Sequence, residues 1–170
     1  MASDVSPDSA ELVFSGKMLG LTRERWGDVE REIVERADSV AIVATDGDGR
    51  LTLVRQFRPA TRRDLLELPA GTVAADEDPL ATARRELSEE TGLHGGRWRA
   101  GPVFFASPGF CRERIHLFFA EGLEEGERTA TDGEPIELVR WTADEAAKRL
   151  GELEDGKTLA GLVLYLRDLL

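Results

Sequence analysis

The sequence predicts a mixed α/β protein of the α+β type, with mixed β-sheets packed between helices. Three observations favour this class. The 170 residues suffice for one domain that buries about two-thirds of its unfolded surface. Short β-branched or alternating runs, separated by turn signals, fill the first half of the chain. Residues 79–91 and 157–169 show the composition and spacing of helices, which we expect to pack on the sheets.

The chain divides into a tail, a β segment and a main domain. Residues 1–9 are polar and acidic, and we expect this tail to be disordered, since chain ends fray unless they are tied down. Residues 10–36 are predicted to form an N-terminal antiparallel β segment, and residues 37–170 the main domain. The expected strands of the segment are 11–16, 19–26 (with a break near Gly20) and 29–35.

The main domain opens with a predicted hairpin. Residues 39–44 are a compact β-branched run, typical of a buried strand. The sequence Asp-Gly-Asp-Gly at 46–49 indicates a turn, and residues 51–57 supply the partner strand. The stretch 122–134 is rich in Glu, Gly and Thr, which indicates a mobile loop. The other expected elements are strands at 65–68, 99–105, 114–120 and 136–141 and helices at 143–150 and 157–169.

The clearest helix lies between Asp78 and Gly92. Asp78 is a good N-cap, and Pro79 suits the first helical position because an N–H there has no partner in any case. Gly92 is a natural C-terminal stop. At about 100° per residue, one stripe of the helix should pack on the sheet. This stripe consists of Leu80, Ala83, Leu87 and Thr91.

Carboxylates cluster on another face of this helix. Glu86 and Glu90 are four residues apart and Glu89 is three from Glu86, so the three side chains are neighbours. Because they repel one another, a divalent cation with oxygen ligands is the natural counter-charge. The helix alone fits equally well a solvated acidic face, in which Arg85 pairs with Glu89.

Composition limits the ligands and the location. The formal net charge of −11 disfavours nucleic acid as a partner. With Cys111, His94 and His116 as the only Cys and His residues, Mg²⁺ or Mn²⁺ is favoured over a structural zinc ion. No apolar run approaches the ~18 residues of a membrane span, and no signal-peptide pattern opens the chain. We therefore expect a cytoplasmic protein with no membrane partner.

A spaced motif covers the loop before the helix and the helix itself. Chance agreement at so many fixed positions is negligible, so the signal is strong, unlike that of a lone glycine motif. Its defined positions are Gly71, Glu77, Arg85-Glu86-Leu87, Glu89-Glu90 and Gly92-Leu93, separated by five, seven, one and one residues.

This pattern resembles the Nudix box, the signature of the Nudix hydrolase family. The resemblance implies the Nudix fold and a loop–helix–loop that binds divalent metal and directs water at a diphosphate. Carried over to this chain, Glu86 and Glu90 are the main metal ligands, and Glu89 ligates directly or through water. Two or three ions of Mg²⁺ or Mn²⁺ per site are implied.

The resemblance also assigns supporting roles around the box. Arg85 and Glu77 form a pair that orients the helix carboxylates, as groups behind a metal site commonly do. The carbonyl of Ala70 is an additional metal ligand. Gly71 and Gly92 are expected to supply backbone freedom at the two ends.

Three further segments resemble the ADP-ribose pyrophosphatase branch of the family. They are VRQFR at 54–58, LELPAG at 66–71 and SPGFCRE at 107–113. The branch hydrolyses the diphosphate bond of a nucleoside diphosphate sugar, which for ADP-ribose gives AMP and ribose 5-phosphate. The substrate-binding residues that the resemblance implies are Arg55, Arg58, Glu67, Pro108 and Gly109.

Two more glutamates are candidates for the catalytic base. Glu113 resembles a loop glutamate that completes the site as general base or metal ligand; the other interpretation is a strand-edge charge between Arg112 and Arg114. Glu134 lies on the predicted mobile loop, where it is either a base that the loop brings in or a solvated charge.

The resemblance also implies a homodimer and leaves other functions open. Members of the branch commonly exchange N-terminal strands, so Trp26 and residues 11–35 are expected to lie near a partner subunit. Another Nudix activity, on a different nucleoside diphosphate sugar, a dinucleoside polyphosphate or a flavin dinucleotide, stays open. So does a non-catalytic module that binds ADP-ribose, although the complete set of glutamates argues against it.

Overall fold

The computed structural model describes residues 5–128 and 135–169. Within those ranges, a three-stranded N-terminal sheet precedes a seven-stranded sheet with helices on both faces. The expected α+β architecture with an N-terminal antiparallel segment is therefore confirmed. No helix in the described ranges is both long and apolar enough to span a bilayer.

The N-terminal sheet is an antiparallel meander. It consists of β1 (Ser9–Ser15), β2 (Gly20–Trp26) and β3 (Val29–Glu35), with β2 in the middle. All residues of β1 are exposed, so this strand adds nothing to the main core. The three strands begin and end within two residues of their predicted bounds.

Strand β4 (Ser39–Asp46) lies at the centre of the larger sheet, and all of its residues but the last are buried. The other strands are β5 (Leu51–Arg58), β6 (Arg63–Glu67), β7 (Ala70–Thr72), β8 (Leu93–Phe105), β9 (Arg114–Glu125) and β10 (Glu137–Trp141). The order is β10-β5-β4-β9-β8, with β6 beside β5 and β7 beside β4. Because β4 pairs in parallel with β9 and antiparallel with β5 and β7, the sheet is mixed.

Strands β8 and β9 are longer than the sequence predicted. Their ladder runs from Leu93 opposite Glu125 to Phe105 opposite Arg114. Residues 122–125 are therefore strand, and the prediction of a loop there is wrong. Leu123 is 2% exposed, so core burial holds this end of β9 in place despite its polar composition. Residues 129–134 of the predicted loop lie outside the described ranges.

Alternate residues of β4 face opposite helical layers, as the period of a strand requires. The even-numbered residues pack with Leu87 of α1 (Pro79–Thr91). The odd-numbered residues pack with Leu162 of α3 (Gly156–Asp168) and with α2 (Ala143–Arg149). The sheet is thus covered on both faces, and among the described helices α1 packs on the face on which the acidic motif lies.

Helix α1 begins and ends where the sequence predicted. Asp78 Oδ1 accepts hydrogen bonds from the backbone N–H groups of Leu80 at 3.0 Å and Ala81 at 3.1 Å. Gly92 ends the helix in the left-handed conformation, with φ of 76°. These caps fix the rotation of the helix, so that its apolar stripe faces the sheet and its carboxylates lie beside β7.

Candidate active site

Arg85 contacts three carboxylates, two of them on α1 and one on the loop before it. Its Nε and Nη2 each donate to one oxygen of Glu77 at 3.1 Å. Its Nη1 lies 2.8 Å from Glu86 Oε1 and 3.0 Å from Glu89 Oε2. The hydrogen bond to Glu77 raises the pKa of Arg85 further above its ordinary value. Arg85 and Glu77 are therefore paired, and the orienting role that the resemblance implies for them stays a prediction.

Glu86 packs directly against the backbone of Gly71. A Cβ built on Gly71 would lie only 2.0 Å from Glu86 Cδ, which is far inside van der Waals contact. Gly71 is not among the glycines with positive φ, so the prediction that it supplies backbone freedom is wrong. Its missing side chain instead lets Glu86 approach the backbone closely. Burial raises the pKa of Glu86, although Arg85 opposes this shift.

Glu90 has a strongly perturbed carboxyl group. The backbone N–H of Ala70 donates to Glu90 Oε2 at 3.2 Å. Burial raises the pKa of Glu90 to about 7, and repulsion by Glu86 adds to the rise against the opposing effects of Ala70 and Arg58. The positive charge that the protein places near Glu90 is therefore too small to offset the cost of burying its ionised form.

Glu86 and Glu90 fit a divalent cation of the Mg²⁺ type. Both offer hard oxygen donors, and burial disfavours their charged forms until a positive charge arrives. Within residues 5–128 and 135–169, no three Asp, Glu, His or Cys side chains are already gathered as a cation site. The carbonyl of Ala70, on the strand that both glutamates contact, and water would complete the coordination of such an ion.

A cavity of about 770 Å³ opens beside β7. Residues 70–72 of that strand form part of its wall, so the cavity reaches the backbone that Glu86 and Glu90 contact. Phe104 and Phe105 contribute apolar surface. A pocket of this size suits a small organic ligand. The charged residues that line it are Arg36, Arg58, Lys157, Glu67, Glu113 and Asp155.

Glu67 holds two of these cations. Arg58 donates from Nε and Nη2 to the two Glu67 oxygens at 2.6 and 2.7 Å, and Lys157 Nζ donates to Oε2 at 2.5 Å. Burial raises the pKa of Glu67, but the hydrogen bonds from Arg58 and Lys157 outweigh it, and the pKa lies below its usual value. Glu67 is 1% exposed, whereas the Arg58 side chain is 37% exposed. Arg58 can therefore meet a ligand while Glu67 fixes its orientation.

Glu113 lines the same cavity. Ser39 Oγ donates to its Oε1, and Arg36 Nη1 lies 3.5 Å from its Oε2. Its neighbours Arg112 and Arg114 pair with other carboxylates. The interpretation of Glu113 as a strand-edge charge between two arginines therefore does not describe the structure.

Three predicted substrate-binding residues lie outside the wall of the cavity. Arg55 Nε is 3.1 Å from Glu137 Oε2, and Arg55 lines a separate, smaller depression with Arg149. Pro108 and Gly109 belong to an exposed turn. Their roles stay predictions. Glu134, the alternative base, lies outside the described residues.

Three charged residues of the cavity wall, Arg36, Asp155 and Lys157, were not among the site residues predicted from the sequence. Arg36 follows β3, and Lys157 is the second residue of α3, ninety residues after its partner Glu67. Packing of α3 on β4 and β9 brings the lysine to the cavity, and no local pattern encodes that contact. The one available signal was an acidic N-cap and a lysine at the start of an otherwise apolar helix.

Known proteins are similar to this chain in sequence and in fold. The model of the NUDIX domain matches residues 35–162. An ADP-ribose pyrophosphatase of Bacillus subtilis (strain 168) is 37% identical over 92% of this chain and 89% of its own length. A methanol dehydrogenase activator of Bacillus methanolicus is 36% identical over the same shares. The crystal structure of an ADP compounds hydrolase has a TM-score of 0.81 at 21% identity, covers 96% of this chain and 93% of its own, and shows the same fold. The chain is therefore a member of the Nudix hydrolase family, and the enzyme class expected from the box is confirmed.

Proposed function

We propose that this enzyme hydrolyses ADP-ribose to AMP and ribose 5-phosphate with Mg²⁺ or Mn²⁺ as cofactor. One observation carries the proposal: Glu86 and Glu90 contact β7, the strand that lines a cavity bearing Arg36, Arg58 and Lys157. The extensive identity to an ADP-ribose pyrophosphatase supports the substrate.

An acidic protein repels an anionic substrate, and the charged side chains of the cavity reduce this repulsion. The chain carries a formal charge of −11, but inside the cavity three cationic side chains balance three acidic ones. Each cation is paired with a carboxylate, which fixes it for an incoming ligand. Arg58 is best placed to bind a phosphate, because a guanidinium donates several hydrogen bonds in a fixed plane.

The reaction is attack of water on one phosphorus of the diphosphate. Bound Mg²⁺ ions, two or three per site, would supply charge that stabilises the developing negative oxygens. Arg85 and Glu77 hold the α1 carboxylates in place. Glu113 takes the proton of the water as its oxygen bonds to phosphorus and the bond from phosphorus to the bridging oxygen breaks. The leaving phosphate carries away the bond electrons.

We also propose that the enzyme is a homodimer formed through the N-terminal sheet. Large apolar side chains of this region are exposed in the single chain: Leu12, Val13, Phe14, Met18, Leu19 and Val29. These residues lie on β1, in the connection after it and at the start of β3, and exposed apolar surface concentrated in one region is typical of a protein interface. Gel filtration with light scattering tests the assignment, and a monomer at micromolar concentration would contradict it.

A substrate panel tests the activity. The purified protein is incubated with ADP-ribose, another nucleoside diphosphate sugar, a dinucleoside polyphosphate and a flavin dinucleotide, with Mg²⁺ or with chelator, and products are separated by chromatography. We expect AMP from ADP-ribose with the highest kcat/KM, and none with chelator. Preference for another compound would favour one of the other Nudix activities. Binding of ADP-ribose without turnover would favour the non-catalytic module.

A further inference from the structure

The loop at residues 107–113 is attached to the end of β3. The Val34 N–H donates to the Phe110 carbonyl at 2.7 Å, and the Arg112 N–H donates to the Val34 carbonyl at 3.1 Å. Val34 and Cys111 form a parallel bridge between these hydrogen bonds. The N-terminal sheet and the loop that ends at Glu113 are therefore joined through their backbones.

Arg112 reinforces this attachment with two ion pairs. Its Nη1 donates to Glu35 Oε1 at 2.7 Å, and its Nη2 donates to Glu24 Oε1. Glu24 is 3% exposed, and Trp26 Nε1 donates to its other oxygen at 3.0 Å. A carboxylate buried this deeply requires a paired cation, and Arg112 supplies it.

Two neighbouring side chains of the loop contact different parts of the protein. Arg112 reaches Glu24 and Glu35 in the N-terminal sheet. Glu113, the next residue, receives a hydrogen bond from Ser39 and pairs with Arg36 in the wall of the cavity. Because one peptide unit joins the two residues, the anchoring of Arg112 restricts the positions open to Glu113.

We infer that Arg112 is a positioning residue for the hydrolysis: by binding Glu24 and Glu35, it fixes the loop so that Glu113 meets the attacking water. This inference rests on the proposed function, because it acts through the assigned role of Glu113. It gives the N-terminal sheet a part in catalysis in addition to its proposed part in the dimer.

A double-mutant cycle with ADP-ribose and Mg²⁺ tests the inference. Arg112→Met should lower kcat by about 10- to 100-fold, the scale of a small misplacement at a reacting centre, and leave KM within about threefold. In the Glu113→Gln background, the same change should lower kcat by less than about twofold, because residues that act through one another are not additive. Arg112→Lys, which keeps one ion pair, should restore part of kcat.

Arg97→Met is the matched control, because its side chain is 89% exposed with one partner at 3.5 Å. Hydrogen exchange provides a readout besides turnover. The backbone amide at position 112 should exchange at least about tenfold faster in Arg112→Met and in Glu24→Gln than in wild type, but not in Arg97→Met. If Arg112→Met does not fold, the isosteric Glu24→Gln takes its place in the cycle.

Equal losses of kcat in the two backgrounds, or unchanged kcat in Arg112→Met, would overturn the inference. So would unchanged exchange of the loop. A wild-type protein that hydrolyses nothing in the panel would remove the proposed function instead, while the exchange measurement still decides whether Arg112 anchors the loop.

Discussion

Lys157 Nζ lies 2.5 Å from Glu67 Oε2, although ninety residues separate the two in the chain. A second bond beside it joins the same segments, since the Leu68 N–H donates to Thr158 Oγ1 at 2.8 Å. The closing helix α3 is thus bound to the strand connection that precedes β7. A lysine from the end of the chain thereby helps to keep a buried cavity carboxylate ionised.

Lys157→Met should weaken both the fold and substrate binding. The buried Glu67 would keep only Arg58 as a charged partner, which we expect to cost about 2–4 kcal/mol of unfolding free energy. Arg58 would then be held more tightly by Glu67, so KM for ADP-ribose should rise with a smaller change in kcat. Urea unfolding and steady-state kinetics measure the two effects.

The effect on stability should depend on pH. The folded-state pKa of Glu67 is depressed below its ordinary value, so its ionisation stabilises the fold above that ordinary value, and the contribution is lost as pH falls through the folded pKa. The difference between wild type and Lys157→Met should therefore be largest near neutral pH and shrink in acid. Lys148→Met, at an exposed position of α2, is the control. A difference that grows on acidification would exclude this role of Glu67.

Glu86→Gln and Glu90→Gln should each lower kcat by about 10²–10⁴-fold at saturating Mg²⁺, because each removes an anionic oxygen donor from the proposed metal site. Glu89→Gln should have a smaller effect, since the Glu89 side chain is 39% exposed and pairs with Arg85. The turnover of each variant and of wild type is measured over a range of Mg²⁺ concentrations. Near-normal kcat in both Glu86→Gln and Glu90→Gln would remove the assignment of these residues as metal ligands.

Without metal, Glu90 should destabilise the protein at alkaline pH. Burial raises its folded pKa from 4.5 to about 7, so the folded state binds more protons than the unfolded state between these values. The free energy of unfolding then falls as pH rises through that window. In chelator at pH 8, Glu90→Gln should be more stable than wild type by about 1–3 kcal/mol, and near pH 4.5 the two should be alike.

Added Mg²⁺ should reverse this order by stabilising wild type more than Glu90→Gln, since a cation that binds the folded state raises its stability. Thermal unfolding at pH 8, with chelator and with Mg²⁺, tests both statements. If wild type is the more stable protein in chelator at pH 8, the buried charge of Glu90 carries no such cost.

Local signals in the sequence predicted the parts of the structure that local interactions determine. Asp78, Pro79 and Gly92 defined α1, and helical spacing placed Glu86 and Glu90 together, because caps and periodicity act within a few residues. Long-range pairing was not accessible in the same way. The end of β9 was predicted as loop, since its partner lies on β8, and Lys157 was missed because α3 alone shows no partner for it. Resemblance to a family supplied Arg58, Glu67 and Glu113, which no local pattern distinguishes from surface charges.

Gly71→Ala should abolish most activity while leaving the fold intact. The new Cβ would lie 2.0 Å from Glu86 Cδ and 2.3 Å from Glu86 Oε1, so the carboxylate must leave its place beside β7. The atoms that must move belong to the end of a flexible side chain, and β7 itself needs no rearrangement. We therefore expect kcat to fall by about 100-fold or more, with an unfolding midpoint close to that of wild type.

Gly151→Ala is the matched control, because a Cβ at Gly151 meets nothing within 4 Å and its φ is not positive. It should keep both kcat and stability. The Mg²⁺ concentration for half-maximal turnover should rise in Gly71→Ala alone, because the displaced carboxylate is a proposed ligand of the ion. Wild-type turnover in a folded Gly71→Ala protein would show that the contact between Gly71 and Glu86 does not hold the reactive arrangement.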